Sequence, residues 1–352
     1  MPTRFATRGL GVALVALALL TAACGSASGA TSRQLVSIGA GLRGPTGLTA
    51  SVYATGLANV SVLTADDRGR LWVATAAYSG EGTDGVYVVA HAGATAVEVV
   101  SGLTTVMGLV WHDGALYVAS AGGVVLYRDF DGTSFSAHET VLAIPDGTGL
   151  VGNLVLRRDG RFLVGVSAPC DACTPSSAWS AAVLSFLADG SDVQVFASGI
   201  RAPVGLTWFP GTTQLFVTMN QRDDLGARTP GDWLAIVREG DDWRFPGCSG
   251  QGGTACAGVP SPVAVLDRHA AASGVAVVRG GPGGGTGTTA FVAEWAKGKV
   301  LRVPLSKRGS ATGRATSFLT GLKSPVPVLA ATDGSLVVGD WATGTVYRIA
   351  TA

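Results

Sequence analysis

Apolar and polar positions along this chain alternate in short bursts, without a sustained helical period. Six segments repeat one pattern: an apolar strand, a polar turn carrying Gly, and a second strand of alternating character. They read VLTADDRGRLWVAT from Val62, GLVWHDGALYVAS from Gly108, NLVLRRDGRFLVGVS from Asn153, GLTWFPGTTQLFVT from Gly205, GVAVVRGGPGGGTGTTAFVAEW from Gly274 and VLAATDGSLVVGDW from Val328. Aligned on Trp72, Tyr117, Leu163, Phe216, Phe291 and Val337, the units lie 45, 46, 53, 75 and 46 residues apart. A leader recurs before four of them: Thr55-Gly56-Leu57, Ser101-Gly102-Leu103, Ser198-Gly199-Ile200 and Thr320-Gly321-Leu322. Units of this length, with room for about four strands each, are propeller blades.

The pattern therefore predicts an all-β, six-bladed β-propeller with four-stranded antiparallel blades. A β-sandwich array is the alternative. Val62, Leu109, Leu154, Leu206, Val275 and Leu329 are expected on the innermost strands. A last strand, TGTVYRIA from Thr343, follows the sixth unit, and an extra strand-like run, Leu48 to Ala54, precedes the first. Pairing these two would close the ring and remove the exposed edges.

Composition agrees with this class. The chain has 352 residues, 47% of them hydrophobic and 14% charged, with 51 glycines. That balance, rich in Val, Thr and Gly, suits strands and turns better than long helices. No basic stripe of the kind a nucleic-acid groove needs is present, so no nucleic-acid partner is expected.

The N-terminus bears on the compartment. Arg4 and Arg8 precede an uninterrupted apolar run, Val12 to Leu20, followed by Thr21-Ala22-Ala23-Cys24. A basic start, a short apolar run and small residues before a cut form a secretory signal, too short to be a membrane-spanning helix. Ordinary cleavage after Ala23 is one reading. Leu20-Thr21-Ala22-Ala23-Cys24-Gly25 also resembles the bacterial lipobox, which implies acylation of Cys24. On that reading residues 1–23 are a lipoprotein signal peptide, 24–44 a flexible tether and 45–352 the propeller. The protein is then exported, held on the extracytoplasmic side of the cell membrane only by its lipid.

Four further cysteines remain: Cys170, Cys173, Cys248 and Cys256. In an exported protein they suggest two disulfides, for which three pairings exist. Cys170–Cys173 and Cys248–Cys256 are favoured, because each pair lies within one loop. A lone CxxC is also compatible with redox or zinc chemistry, but the four histidines are scattered.

The fourth unit carries a long polar excursion that no other copy has, and loops on a rigid scaffold are where binding groups usually sit. Here GIRAPVGLTWFPGTTQLFVTMNQRDDLG, with DWLAIVREGDDWRFPGC behind it, resembles the glucose/sorbosone dehydrogenase family. VGVSAPCDAC, FVAEWAKGKVLRVPL and SPVPVLAATDGSLVVGDWATGTVYRI extend the resemblance over about Leu48 to Ile349. The family implies an extracytoplasmic six-bladed propeller that oxidises sugars or aldehydes with pyrroloquinoline quinone and calcium. It implies Arg201 and Lys297 as quinone-binding cations, with Ala227 and Arg228 as backbone-carbonyl ligands to calcium and Asp232 as a nearby acid.

The chain also departs from the family. The position of the catalytic histidine, four residues before Asn153, is Gly149, and Asp223 and Asp224 are the candidate substitute bases. Ala202, Trp233, Ala235 and Ser324 replace other expected groups. A general base is typically worth about 10²–10⁴ in rate. Two readings follow: a quinone-dependent sugar or aldehyde dehydrogenase with an altered site, or a lipoprotein propeller that binds a ligand or partner without catalysis. A calcium-dependent lactonase on the same fold is a third.

Overall fold

A computed structural model describes residues 34–283 and 285–352. The expected signal peptide and Cys24 lie outside the described residues. The described chain is built almost wholly of antiparallel strands arranged as six sheets. Its helical content is three single 3₁₀ turns, at Gly226–Arg228, Thr254–Cys256 and Trp295–Lys297.

Each sheet is one blade, and each blade begins with an innermost strand. These are Val60–Ala65, Gly108–His112, Val151–Leu156, Pro203–Trp208, Ala272–Arg279 and Pro325–Ala330. They contact one another in sequence around the ring, and the last contacts the first. Val62, Leu109, Leu154, Leu206, Val275 and Leu329 all lie on them, as the repeat predicts. Leu48–Ala54 pairs antiparallel with Thr345–Thr351, from Leu48 opposite Thr351 to Ala54 opposite Val346. The ring is thus closed by an N-terminal strand completing the C-terminal blade.

The second strand of each unit is less amphipathic than alternation suggested. Leu71–Thr75, Phe162–Val166, Leu215–Met219 and Leu336–Asp340 are buried at every position. The cause is the blade stacking, which covers both faces of a strand. Leu71 and Val73 pack with Val337 and Val346 of the sixth blade. Trp72 and Ala74, facing the other way, pack with Leu109 and Leu116 of the second. The core is accordingly six apolar layers between neighbouring blades. The glycine that opens several units has a packing reason. A Cβ on Gly274 would lie 2.6 Å from the Val326 carbonyl oxygen of the next innermost strand.

One boundary differs from the expectation. The segment 36–44, assigned above to the tether, forms a hairpin of Val36–Gly39 and Leu42–Gly44 that extends the fifth blade. Ile38 and Leu42 bury themselves against Phe318 and Leu319 of that blade, which makes an isolated tether there unfavourable.

Candidate functional site

At one end of the channel, the turns that follow second strands converge on the segments that open innermost strands. They enclose a cavity of about 520 Å³. Tyr78, Ser167, Asn220, Trp295 and Trp341 contribute to its wall from five blades. Trp295 and Trp341 meet edge to face with ring centroids 5.9 Å apart. The Tyr78 hydroxyl donates to Met107 Sδ at 3.1 Å. The remaining wall is mostly apolar, and Arg201 is its one charged side chain among the described residues.

Arg201 stands where the sequence placed it, but its charge is already matched. Its guanidinium donates from Nη2 to Asp171 Oδ1 at 2.5 Å, from Nε to the Asp171 carbonyl at 3.1 Å and from Nη1 to the Asn220 carbonyl at 3.1 Å. Asp171 sits between the two half-cystines of the Cys170–Cys173 disulfide, which forms together with Cys248–Cys256 as favoured. The Asp171 carboxylate also accepts the backbone N–H groups of Asp223 and Asp224, at 2.9 and 2.7 Å. One carboxylate therefore ties the disulfide loop of the third blade to Arg201 and to the excursion of the fourth.

The other expected site residues are engaged elsewhere. Asp223 bonds through Oδ1 to His269 Nδ1 at 2.6 Å. Asp224 accepts Arg222 Nε at 2.6 Å, and that bond holds its carboxyl below the usual range. Neither carboxylate lines the cavity, so neither is placed as a base for a ligand there. Lys297 is exposed at the end of a 3₁₀ turn, and Trp295, two residues earlier, takes the cavity wall instead.

Gly149 has a backbone reason for being glycine. Its φ is +140°, and a Cβ built on it would overlap the Ser167 carbonyl oxygen. The position assigned to the family's histidine is closed to any side chain.

Two of the excursion's carbonyls are likewise engaged. Arg268 Nη1 donates to the Ala227 carbonyl at 3.0 Å, and His269 Nε2 bonds the Gly226 carbonyl at 3.1 Å. Asp232 is 2% exposed, and its oxygens accept the backbone N–H groups of Gln221 at 2.9 Å and Ala272 at 3.0 Å. Burial raises its pKa. Asp84 in the first blade does the same work, accepting the N–H groups of Ala77 and Thr105. Asp232 is thus a staple between the fourth and fifth blades. Of the positions expected to hold calcium, the Ala227 carbonyl accepts Arg268 and the Asp232 carboxylate accepts two backbone N–H groups, and no group of three or more His, Cys, Asp or Glu suited to a metal occurs among the described residues. Engaged in this way, the Ala227 and Asp232 oxygens do not form a calcium site in this conformation.

His269 faces an acceptor with each ring nitrogen, a carboxylate and a carbonyl. Only the imidazolium donates at both. The hydrogen bond to Asp223 first, and that to Gly226 second, raise its pKa.

Asp171, Arg268 and His269 were not singled out as site residues in the sequence. The available signal was Asp171 itself, an acid inside a CxxC loop in a chain with an otherwise unmatched site arginine.

No known protein-family profile matches this chain. No curated protein sequence matches it either. Solved structures do. The chain is similar to the holo form of the pyranose dehydrogenase PQQ domain from Coprinopsis cinerea, at 16% identity and TM-score 0.72, covering 88% of this chain and 97% of that one. It is similar to the PQQ-bound aldose sugar dehydrogenase from Streptomyces coelicolor, at 19% identity and TM-score 0.70, covering 87% and 99%. A calcium structure of the Trichoderma reesei family AA12 enzyme matches at 16% identity and TM-score 0.71, covering 92% and 98%.

Proposed function

We propose that this chain is a lipid-anchored, extracytoplasmic propeller that binds a small uncharged ligand at its channel mouth without quinone-dependent oxidation. The fold is the one that sugar dehydrogenases use, and a fold alone does not carry their chemistry. The observation that carries the reading is the closed position at Gly149, where backbone stands in place of a base. Two others support it. A carboxylate-rich quinone would meet a single guanidinium already bonded to Asp171, and desolvated charges left unpaired are costly. The Ala227 carbonyl, one of the two expected to hold calcium, accepts Arg268.

What remains is a cavity of about 520 Å³, within the usual range for small-molecule sites. Its aromatic corner, Trp295 and Trp341, suits the C–H face of a neutral ring, and the Asn220 side-chain amide lines the same cavity. A neutral monosaccharide supplies both an apolar ring face and hydroxyl donors. That class is also what the named neighbours, a pyranose and an aldose sugar dehydrogenase, act on. Calorimetric titration with neutral pyranoses tests the reading. Binding is expected in the wild type and about tenfold weaker in Asn220→Ala, the loss of one buried hydrogen bond. Failure of every neutral pyranose to bind would overturn the sugar class.

A further inference from the structure

The fourth blade contains a second cavity, of about 370 Å³. It lies on the far side of Arg201, which lines both cavities. Its outer wall is the segment 244–263, the part of the excursion that makes the fourth unit 75 residues long and that the Cys248–Cys256 disulfide closes. Loops of this length in a compact domain usually serve a purpose beyond connection.

The lining is apolar and aromatic. Trp233 and Trp243 stack with centroids 4.3 Å apart, and Met219, Phe245 and Val259 stand around them. Arg201, Gln221 and Ser261 interrupt this wall, and Arg201 is already bonded to Asp171 and Asn220. Gln221 is 5% exposed and lines the cavity, yet its side-chain amide makes no hydrogen bond among the described residues; only its backbone N–H is used, on Asp232. A polar side chain set in a largely apolar wall with no hydrogen-bond partner among the described residues points to a partner in the cavity.

We infer that this cavity is a binding site for a small, uncharged, largely apolar molecule carrying one hydroxyl, the phenol class. A hydroxyl both donates and accepts, which matches the two ends of the Gln221 amide. The ring belongs against the stacked indoles. An anion is disfavoured, because Asp171 already matches the charge of Arg201. The site is separate from the channel mouth and does not depend on what the mouth binds.

The test is calorimetric titration of the whole mature protein with 4-methylphenol, 4-methylanisole and toluene. The phenol is expected to bind about tenfold more tightly than the anisole, which lacks the O–H, with toluene weakest. Gln221→Leu should weaken the phenol by about three- to tenfold while leaving the anisole nearly unchanged. Trp295→Ala, in the channel mouth only, should leave all three titrations as they are. Equal affinity for phenol and toluene, phenol binding that ignores Gln221→Leu in a folded variant, loss of binding in Trp295→Ala, or no binding at all would each overturn the assignment.

Discussion

Arg201 and Asp171, thirty residues apart in the chain, form an ion pair at the wall of the channel-mouth cavity. The arginine is the one charge on the cavity wall among the described residues, and the aspartate neutralises it from within the Cys170–Cys173 loop. The cation that a quinone's carboxylate would seek is therefore spent on the protein's own carboxylate.

Asp171→Ala removes an ion pair and the acceptor of two backbone N–H groups at once. Its side chain is 33% exposed, so solvent replaces part of what is lost. A destabilisation of about 1–3 kcal/mol is expected from denaturant unfolding with an unchanged slope. A variant as stable as the wild type would mean that the pair is incidental.

Gly149→Ala tests whether the family's base position is closed. A left-handed backbone and a collision with the Ser167 carbonyl act together, so a loss of at least about 2 kcal/mol is expected. Gly149→His should be worse, and should not create a dehydrogenase. Wild-type unfolding midpoints for both would show that the loop yields.

His269 makes the excursion sensitive to pH. Its pKa is raised in the folded state by Asp223 and the Gly226 carbonyl. The stabilisation is therefore complete below the unfolded value of about 6.5 and is lost as pH rises through the folded pKa. The wild type should lose stability relative to His269→Gln over that window, and calcium or a chelator should shift neither melting curve. A calcium-dependent rise in the wild-type midpoint would show that the 226–232 loop reorganises around the ion.

Cys24→Ser is expected to move the protein from the membrane fraction to the soluble fraction, with an unchanged circular dichroism spectrum. A variant that stays with the membrane contradicts the lipobox reading.

The ring was legible in the sequence because each blade repeats one strand–turn–strand unit, and repetition survives in one dimension. Closure by Leu48–Ala54 was legible for the same reason, as an extra strand with no partner nearby. The hairpin at 36–44 was not, since it belongs to no repeat and is held by contacts with Phe318 and Leu319, far along the chain. In the site, Arg201 was found but its partner was not. A CxxC reads as a disulfide, and nothing local says that the acid within it reaches another blade. Asp232 read as a metal-site acid because burial and backbone donors, which give it a stapling role like that of Asp84, leave no mark on the sequence. Lys297 gave way to Trp295 because the 3₁₀ turn at Trp295–Lys297 rotates the lysine out to solvent.

The most direct measurement is equilibrium titration of the purified mature protein with pyrroloquinoline quinone in the presence of calcium, followed by dye reduction with aldoses. The account expects no bound-quinone absorbance at micromolar cofactor and no dye reduction, with neutral pyranoses still binding. Stoichiometric quinone binding that Arg201→Ala abolishes, accompanied by aldose-dependent dye reduction, would contradict it and restore the dehydrogenase.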